Sequence, residues 1–179
     1  LCETAKKNKI SLEEMAHKFF ITKDEADKLY ETLIAEGYIK NSDVTKKGQE
    51  YLNHKKIDNA IILSAGLSTR FVPLNFEKPK SLLKVKGEIL LERQIEQLKE
   101  AGINEIIVVV GYMKEQFEYL TEKYGVILVE STEYRERNNH SSVYAARAYL
   151  KNSIITSSDL YFTENIFEKY AFDSYYTSV

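Results

Sequence analysis

The sequence predicts an α/β protein: a doubly wound, mostly parallel sheet preceded by a small helical domain. Three observations carry this. Short, continuously apolar runs such as "AIILS" and "EIIVVV" have the composition of strands buried on both faces. Segments of helical periodicity lie between those runs, and such alternation implies parallel strands joined by crossover helices. The first 57 residues differ, with helix caps and amphipathic stripes but no long apolar run, so the domains divide as 1–57 and 58–179.

Composition narrows the class. An apolar content of 44% is enough for a real core in 179 residues. No apolar run approaches the roughly 18 residues of a membrane span, and no basic-then-apolar leader opens the chain, so a cytoplasmic protein without a membrane partner is expected. The single cysteine, Cys2, forms no internal disulfide. A formal charge of −2 argues against a general nucleic-acid binder, which needs a basic excess to neutralise phosphates. The chain opens at Leu1 and stops at "SYYTSV", which reads as the start of another strand, so the natural protein is expected to continue.

In the first domain, Ser11 with Glu14 and Thr22 with Glu25 form capping boxes that start two helices. The first carries Leu12, Met15, Ala16 and Phe19 on one face, and the second carries Ala26, Leu29, Tyr30, Leu33 and Ile34, closing at Gly37. "YIKNSDVT" reads as a tight hairpin, and Thr45 caps a last helix from Lys46 to Leu52. The stretch "AEGYIKNSDVTKKGQEYL" resembles the winged helix-turn-helix family. That resemblance implies DNA as a partner, but the residues disfavour it. The recognition helix would present Asp24, Glu25, Asp27, Glu31 and Glu36 to phosphates. Across residues 1–57 there are 11 lysines, 10 acids and no arginine, the usual reader of guanine.

In the second domain the expected strands are Ala60–Leu63, "EIIVVVGY", "GVILVE" and "SIITSSD", with helices over 90–101, 114–123 and 141–150. An open sheet of this Rossmann-like kind binds ligands at the carboxyl ends of its strands. The loop "LSAGLSTRFVPLNFEKPK" leaves one such end. Gly66 permits a close backbone turn, so that amides of Leu63, Ser64, Ala65, Gly66, Leu67 and Ser68 can face an anion. Arg70 and Lys80 bring positive charge to the same place. The spacing is neither a dinucleotide fingerprint nor a Walker loop, since Lys80 lies far beyond Gly66.

The stretch "ILSAGLSTRFVPLNFEKPKSLLKVKGEILLERQIEQL" resembles the signature of nucleotidyltransferases that join a phosphorylated acceptor to a nucleoside monophosphate. Within that superfamily, "VVVGYMKEQFEYL" and "EYRERNNHSSVYAAR" are most similar to the bacterial choline-phosphate cytidylyltransferases. The resemblance implies CTP and phosphocholine as reactants, Mg²⁺ as cofactor, and attack by an acceptor phosphate oxygen on the α-phosphorus with loss of pyrophosphate. It assigns Arg70 to the leaving phosphates, Lys80 to the α-phosphate and Asp159 to the metal. Where relatives often have a second acid, this chain has Ser157, and a further metal aspartate is expected beyond Val179. Asn139 and Ser142 suit a pyrimidine edge, cytosine or uracil alike. Tyr112 and Tyr161 are the candidate aromatic faces for a quaternary ammonium. The alternatives are a sugar-1-phosphate nucleotidyltransferase, which shares the opening loop, and a non-catalytic nucleotide-sensing regulator that binds DNA. A phosphoethanolamine or phosphonate acceptor needs almost the same phosphate site.

Overall fold

A computed structural model describes residues 11–67, 77–133 and 139–175, with the side chains of Lys18 and Asn139 excepted. Of these, 11–56 with 170–175 form one compact unit and Ile57–Lys169 the other.

The first unit contains α1 (Leu12–Phe19), α2 (Lys23–Ala35), β1 (Ile39–Lys40), β2 (Asp43–Val44) and α3 (Lys46–Asn53). Both expected capping boxes are present. Ser11 Oγ accepts from Glu14 N at 3.1 Å, and Thr22 Oγ1 accepts from Glu25 N at 3.3 Å, while each glutamate accepts from its cap residue's N–H. The β1–β2 hairpin turns through Asn41 and Ser42, both at positive φ as a type I′ turn requires. Met15, Ala26, Ile39 and Leu52 form the buried interior, whereas Phe19, Leu29 and Ile34, expected on apolar faces, are exposed. Gly48 in α3 lies so close to the hairpin that a Cβ there would come within 2.4 Å of the Tyr38 carbonyl oxygen. After the second unit the chain returns, and the Ala171 N–H donates to Lys55 O at 2.8 Å.

The second unit is built on β3 (Asn59–Ser64), β6 (Glu105–Val110), β7 (Ile127–Glu130) and β8 (Ser153–Ser157). All pairings are parallel, in the order β7-β6-β3-β8. Central β3 and β6 must be apolar on both faces, and Ile61, Ile62, Ile107 and Val108 are fully buried. Each such side chain contributes about 1.5–3 kcal/mol by leaving water. On one face Ile61, Ala65, Ile107 and Val109 cluster with Ala146, just beyond α6 (Asn139–Ala145). Helix α4 (Leu90–Glu100) buries Leu91, Ile95 and Leu98, and α5 (Tyr119–Tyr124) buries Leu120.

Buried Asn59 sets the register at the amino end of the sheet. Its Nδ2 donates to Tyr149 O at 2.8 Å and to Glu105 Oε1 at 3.1 Å, and its Oδ1 accepts from Ser153 Oγ at 2.6 Å. This also explains why the helix expected over 141–150 ends early. Beyond Ala145 there is only a 3₁₀ turn, Arg147–Tyr149, whose last carbonyl Asn59 holds. The helix expected over 114–123 is likewise a 3₁₀ turn, Lys114–Phe117, followed by α5. The hairpin of β4 (Lys84–Val85) and β5 (Glu88–Ile89) was not expected; Lys86 and Gly87 form its turn, both at positive φ.

Glu92 joins α4 to α5. It accepts from Tyr119 Oη at 2.8 Å and Lys123 Nζ at 2.8 Å, with Tyr124 Oη at 3.2 Å. Burial alone pushes this carboxyl up, but the lysine and tyrosine donors outweigh it and hold the group below its ordinary value. Glu92→Gln is expected to cost about 1 kcal/mol at pH 7, or roughly 2–4 °C in Tm. Because the folded-state value is depressed, the carboxylate's contribution is complete above the unfolded value near 4.5 and is lost as pH falls through the folded value. The Tm gap between wild type and variant, followed by circular dichroism, closes on acidification below about pH 4.5.

Candidate active site

Chain order and spatial order diverge at β3. Within the sheet the chain passes from β3 to β6 on one side, on to β7 at the edge, and then back across to β8 on the other side of β3, so the strand order reverses between β3 and β8. Open α/β sheets bind ligands in the crevice outside the carboxyl ends at such a point. A small pocket, open to solvent, lies there. Leu63 to Gly66 line it from the end of β3 and the residues after it, Ser157 and Ser158 from the end of β8, Pro79, Lys80 and Ser81 from the end of the loop, and Ser142 from α6.

The end of β3 is tied down on three sides. Ser158 N donates to Leu63 O at 3.1 Å and Tyr112 N to Ala65 O at 3.3 Å. Ser64 Oγ donates to Ser81 Oγ at 2.8 Å, and both serines are buried. Ser81 belongs to a 3₁₀ turn, Lys80–Leu82, so this bond also places Lys80. Gly66 does not have a left-handed φ, and among the described residues a Cβ on it would meet no atom within 4 Å. No described neighbour therefore requires glycine at this position.

Lys80 and Asp159 meet although they lie on different segments. Lys80 Nζ donates to Asp159 Oδ2 at 2.5 Å, with the two side chains 22% and 32% exposed. Ser157 Oγ donates to the other oxygen, Oδ1, so the residue standing in place of a second acid orients the first. Burial pushes the Asp159 carboxyl up, but the Lys80 and Ser157 hydrogen bonds and the lysine charge more than offset it. The result is a carboxylate held below its usual range.

Among the described residues no three His, Cys, Asp or Glu side chains gather into a metal cluster. The donors at the pocket's edge are hard oxygens, a carboxylate beside hydroxyls. They suit a hard divalent cation that takes one carboxylate, with water and substrate oxygens completing its shell, better than zinc.

The structure thus brings together Leu63, Ser64, Ala65, Gly66, Lys80, Ser142 and, through Lys80, Asp159. Leu67 follows directly on Gly66. Ser68, Arg70 and the Asn139 side chain lie outside the described residues. Ser142 sits in the seven-residue α6 and is buried. The Tyr112 backbone touches the loop at Ala65. Tyr161 is already engaged: its hydroxyl donates to Glu88 Oε2 at 3.1 Å, the Arg93 guanidinium lies 4.8 Å from its ring centroid and Lys86 Nζ lies 5.5 Å away. Two cations of the protein itself thus already lie close to this ring.

Several participants escaped sequence reasoning: the Ser64–Ser81 bond, Ser158, and the side chains of α4 that hold the segment around Asp159. The last left a signal. In "LLERQIEQL", Gln94 falls on the same helical face as Leu91 and Leu98, and an amide on an apolar face needs partners.

Residues 60–172 match the MobA-like NTP transferase domain family. The chain is 49% identical over 120 residues to the choline-phosphate cytidylyltransferase of Streptococcus pneumoniae, covering 67% of this chain and 52% of that protein. It is 50% identical over 114 residues to the 2-aminoethylphosphonate cytidylyltransferase of Lancefieldella rimae, covering 62% and 46%. The solved structure of the Streptococcus pneumoniae CTP:phosphocholine cytidylyltransferase superposes with a TM-score of 0.61 at 49% identity, covering 64% of this chain and 50% of that one. The inositol-1-phosphate CTP transferase of T. maritima, with a TM-score of 0.51 at 21% identity, shares the fold. The chain spans about half the length of the curated relatives it matches. With more than half of its residues inside the matched domain, and the pocket of that domain assembled at the carboxyl ends of β3 and β8, the chain belongs to the MobA-like NTP transferase family.

Proposed function

We propose that the protein transfers CMP from CTP to phosphocholine, forming CDP-choline and pyrophosphate. The observation that carries the chemistry is the Lys80–Asp159 pair beside a strand-end pocket lined by backbone and hydroxyl groups. The identity to cytidylyltransferases supports the choice of nucleotide and acceptor.

Both reactants are anionic, so the residues must align them and neutralise charge rather than abstract a proton. In this reading the backbone from Leu63 to Ser68 cradles the nucleotide, with Asn139 and Ser142 toward the base. Lys80 exchanges Asp159 for the α-phosphate, where it offsets charge as the bond to the leaving group lengthens. Arg70 receives the β- and γ-phosphates. Asp159, oriented by Ser157, would be the residue that holds the metal. Mg²⁺, when bound, would supply positive charge to offset the phosphates. Tyr112 remains the aromatic candidate for the choline end, since Arg93 already covers a face of Tyr161.

The 50% identity to a 2-aminoethylphosphonate cytidylyltransferase favours a second reading, in which a phosphonate replaces the phosphate ester at the acceptor. Among the described residues no helix is long and apolar enough to cross a membrane, which agrees with work in the cytoplasm. The helix-helix-hairpin-helix order of the first unit supports a winged helix, and the acids on α2 argue for a contact role over DNA reading.

Pyrophosphate release by the full-length protein with Mg²⁺ tests this, using CTP, UTP, ATP and GTP against phosphocholine, 2-aminoethylphosphonate and sugar 1-phosphates. Turnover is expected with CTP and phosphocholine, and Lys80→Ala should lower kcat/KM by roughly 100-fold or more. Release with UTP and a sugar 1-phosphate would overturn the assignment. A second variant probes the cradle. Because no described residue comes within 4 Å of a Cβ at residue 66, Gly66→Ala should leave Tm unchanged or slightly raised while weakening CTP binding about tenfold or more, by calorimetry.

A further inference from the structure

Asp159 stands on a stretch with no ladder of its own. From Ser158 to Lys169 the chain forms neither helix nor strand; main-chain bonds hold its two ends, at Ser158 and Lys169, and side chains support the backbone between them. One helix supplies most of them. Gln94 Nε2 donates to Ser157 O at 2.9 Å and to Leu160 O at 2.8 Å. Arg93 donates from Nε to Phe162 O at 2.8 Å and from Nη2 to Thr163 O at 3.0 Å. Gln97 Nε2 donates to Phe162 O at 3.2 Å.

Gln94 differs from the other two in where its bonds fall. Its two amide protons reach the carbonyls on either side of the Ser158–Asp159 pair, closing a bracket around the residue that faces Lys80. Its side chain is buried, and its Oε1 has no partner among the described residues. An apolar residue of similar size would avoid that unsatisfied oxygen, so packing alone does not account for an amide here. What the amide supplies is two donors at a fixed spacing. A carboxylate that must exchange a lysine for a metal needs its main chain held within a fraction of an ångström.

We infer that Gln94 is a positioning residue: by fixing the Ser157 and Leu160 carbonyls it sets the Asp159 carboxylate for metal binding. This rests on the reading of Asp159 as a metal ligand. Gln97 is the matched control. It is also buried on α4, also leaves its Oε1 without a partner among the described residues, and holds the same segment, but at Phe162, three residues past Asp159.

The test is Mn²⁺ binding by the full-length protein, followed through water-proton relaxation, together with Tm and the Mg²⁺ concentration for half-maximal pyrophosphate release. Gln94→Met is expected to weaken Mn²⁺ binding about tenfold, in the range found when groups behind a metal ligand are removed. Gln97→Met should lower Tm to a similar extent and leave Mn²⁺ affinity unchanged. Gln94→Glu, of the same shape without the paired donors, serves if the methionine variant does not fold. Wild-type Mn²⁺ affinity in Gln94→Met, or an equal loss in Gln97→Met, overturns the inference while leaving Asp159 as ligand. Equal Mn²⁺ binding by wild type and Asp159→Asn overturns the reading of Asp159 itself, and Gln94 with it.

Discussion

Parallel pairing of β3 with β6 on one edge and β8 on the other is the constraint on which the site depends. A parallel strand gains its partners only through crossovers, and the chain runs from β3 through β6 to β7 before crossing back to β8, so the strand order reverses at β3. That geometry opens a crevice at the carboxyl ends and delivers the end of β8 beside the loop leaving β3. The Lys80–Asp159 contact joins residues separated by 79 positions, and it exists because these two strands are neighbours. Asn59 guards the same register from the opposite end, through bonds to Glu105, Tyr149 and Ser153. A slip of β8 by one residue would break that set and carry Asp159 away from Lys80.

The site is held by an ion pair that the proposed transfer would have to open. With no substrate charge nearby, Lys80 and Asp159 neutralise each other across 2.5 Å. Either charge alone in a half-buried pocket is costly, and the pair keeps both in place. In the proposed reaction a phosphate would offer Lys80 a new anion and a divalent cation would offer Asp159 a new positive partner, so the two exchanges would balance when they occur together. The Ser157 hydroxyl, donating to the same carboxylate, supplies orientation without charge.

Helix α4 links core and chemistry. Leu91, Ile95 and Leu98 bury one stripe, and Gln94 within that stripe reaches the turn that carries Asp159. The irregular stretch after β8 can therefore be shaped for ligands without losing its place. Arg93 does similar work at Phe162 and Thr163 while stacking on Tyr161, which turns a candidate ligand aromatic into part of the scaffold.

Much was legible in the residues because it is local or periodic. Capping boxes at Ser11 and Thr22 involve residues three apart, and the apolar runs of β3 and β6 state their burial on both faces. The stretch around the loop from Gly66 to Lys80 carried the resemblance to nucleotidyltransferases, and the family match over residues 60–172 agrees with that resemblance. Tertiary structure decided what depends on contacts far apart in sequence. It ended the helix after Ala145 with the Asn59 amide, gave Tyr161 to Arg93, and set Ser81 against Ser64 so that Lys80 faces Asp159. The physical reason is that periodicity records which face of an element is buried, whereas a hydrogen bond between distant segments needs the register of the sheet before its two ends can meet.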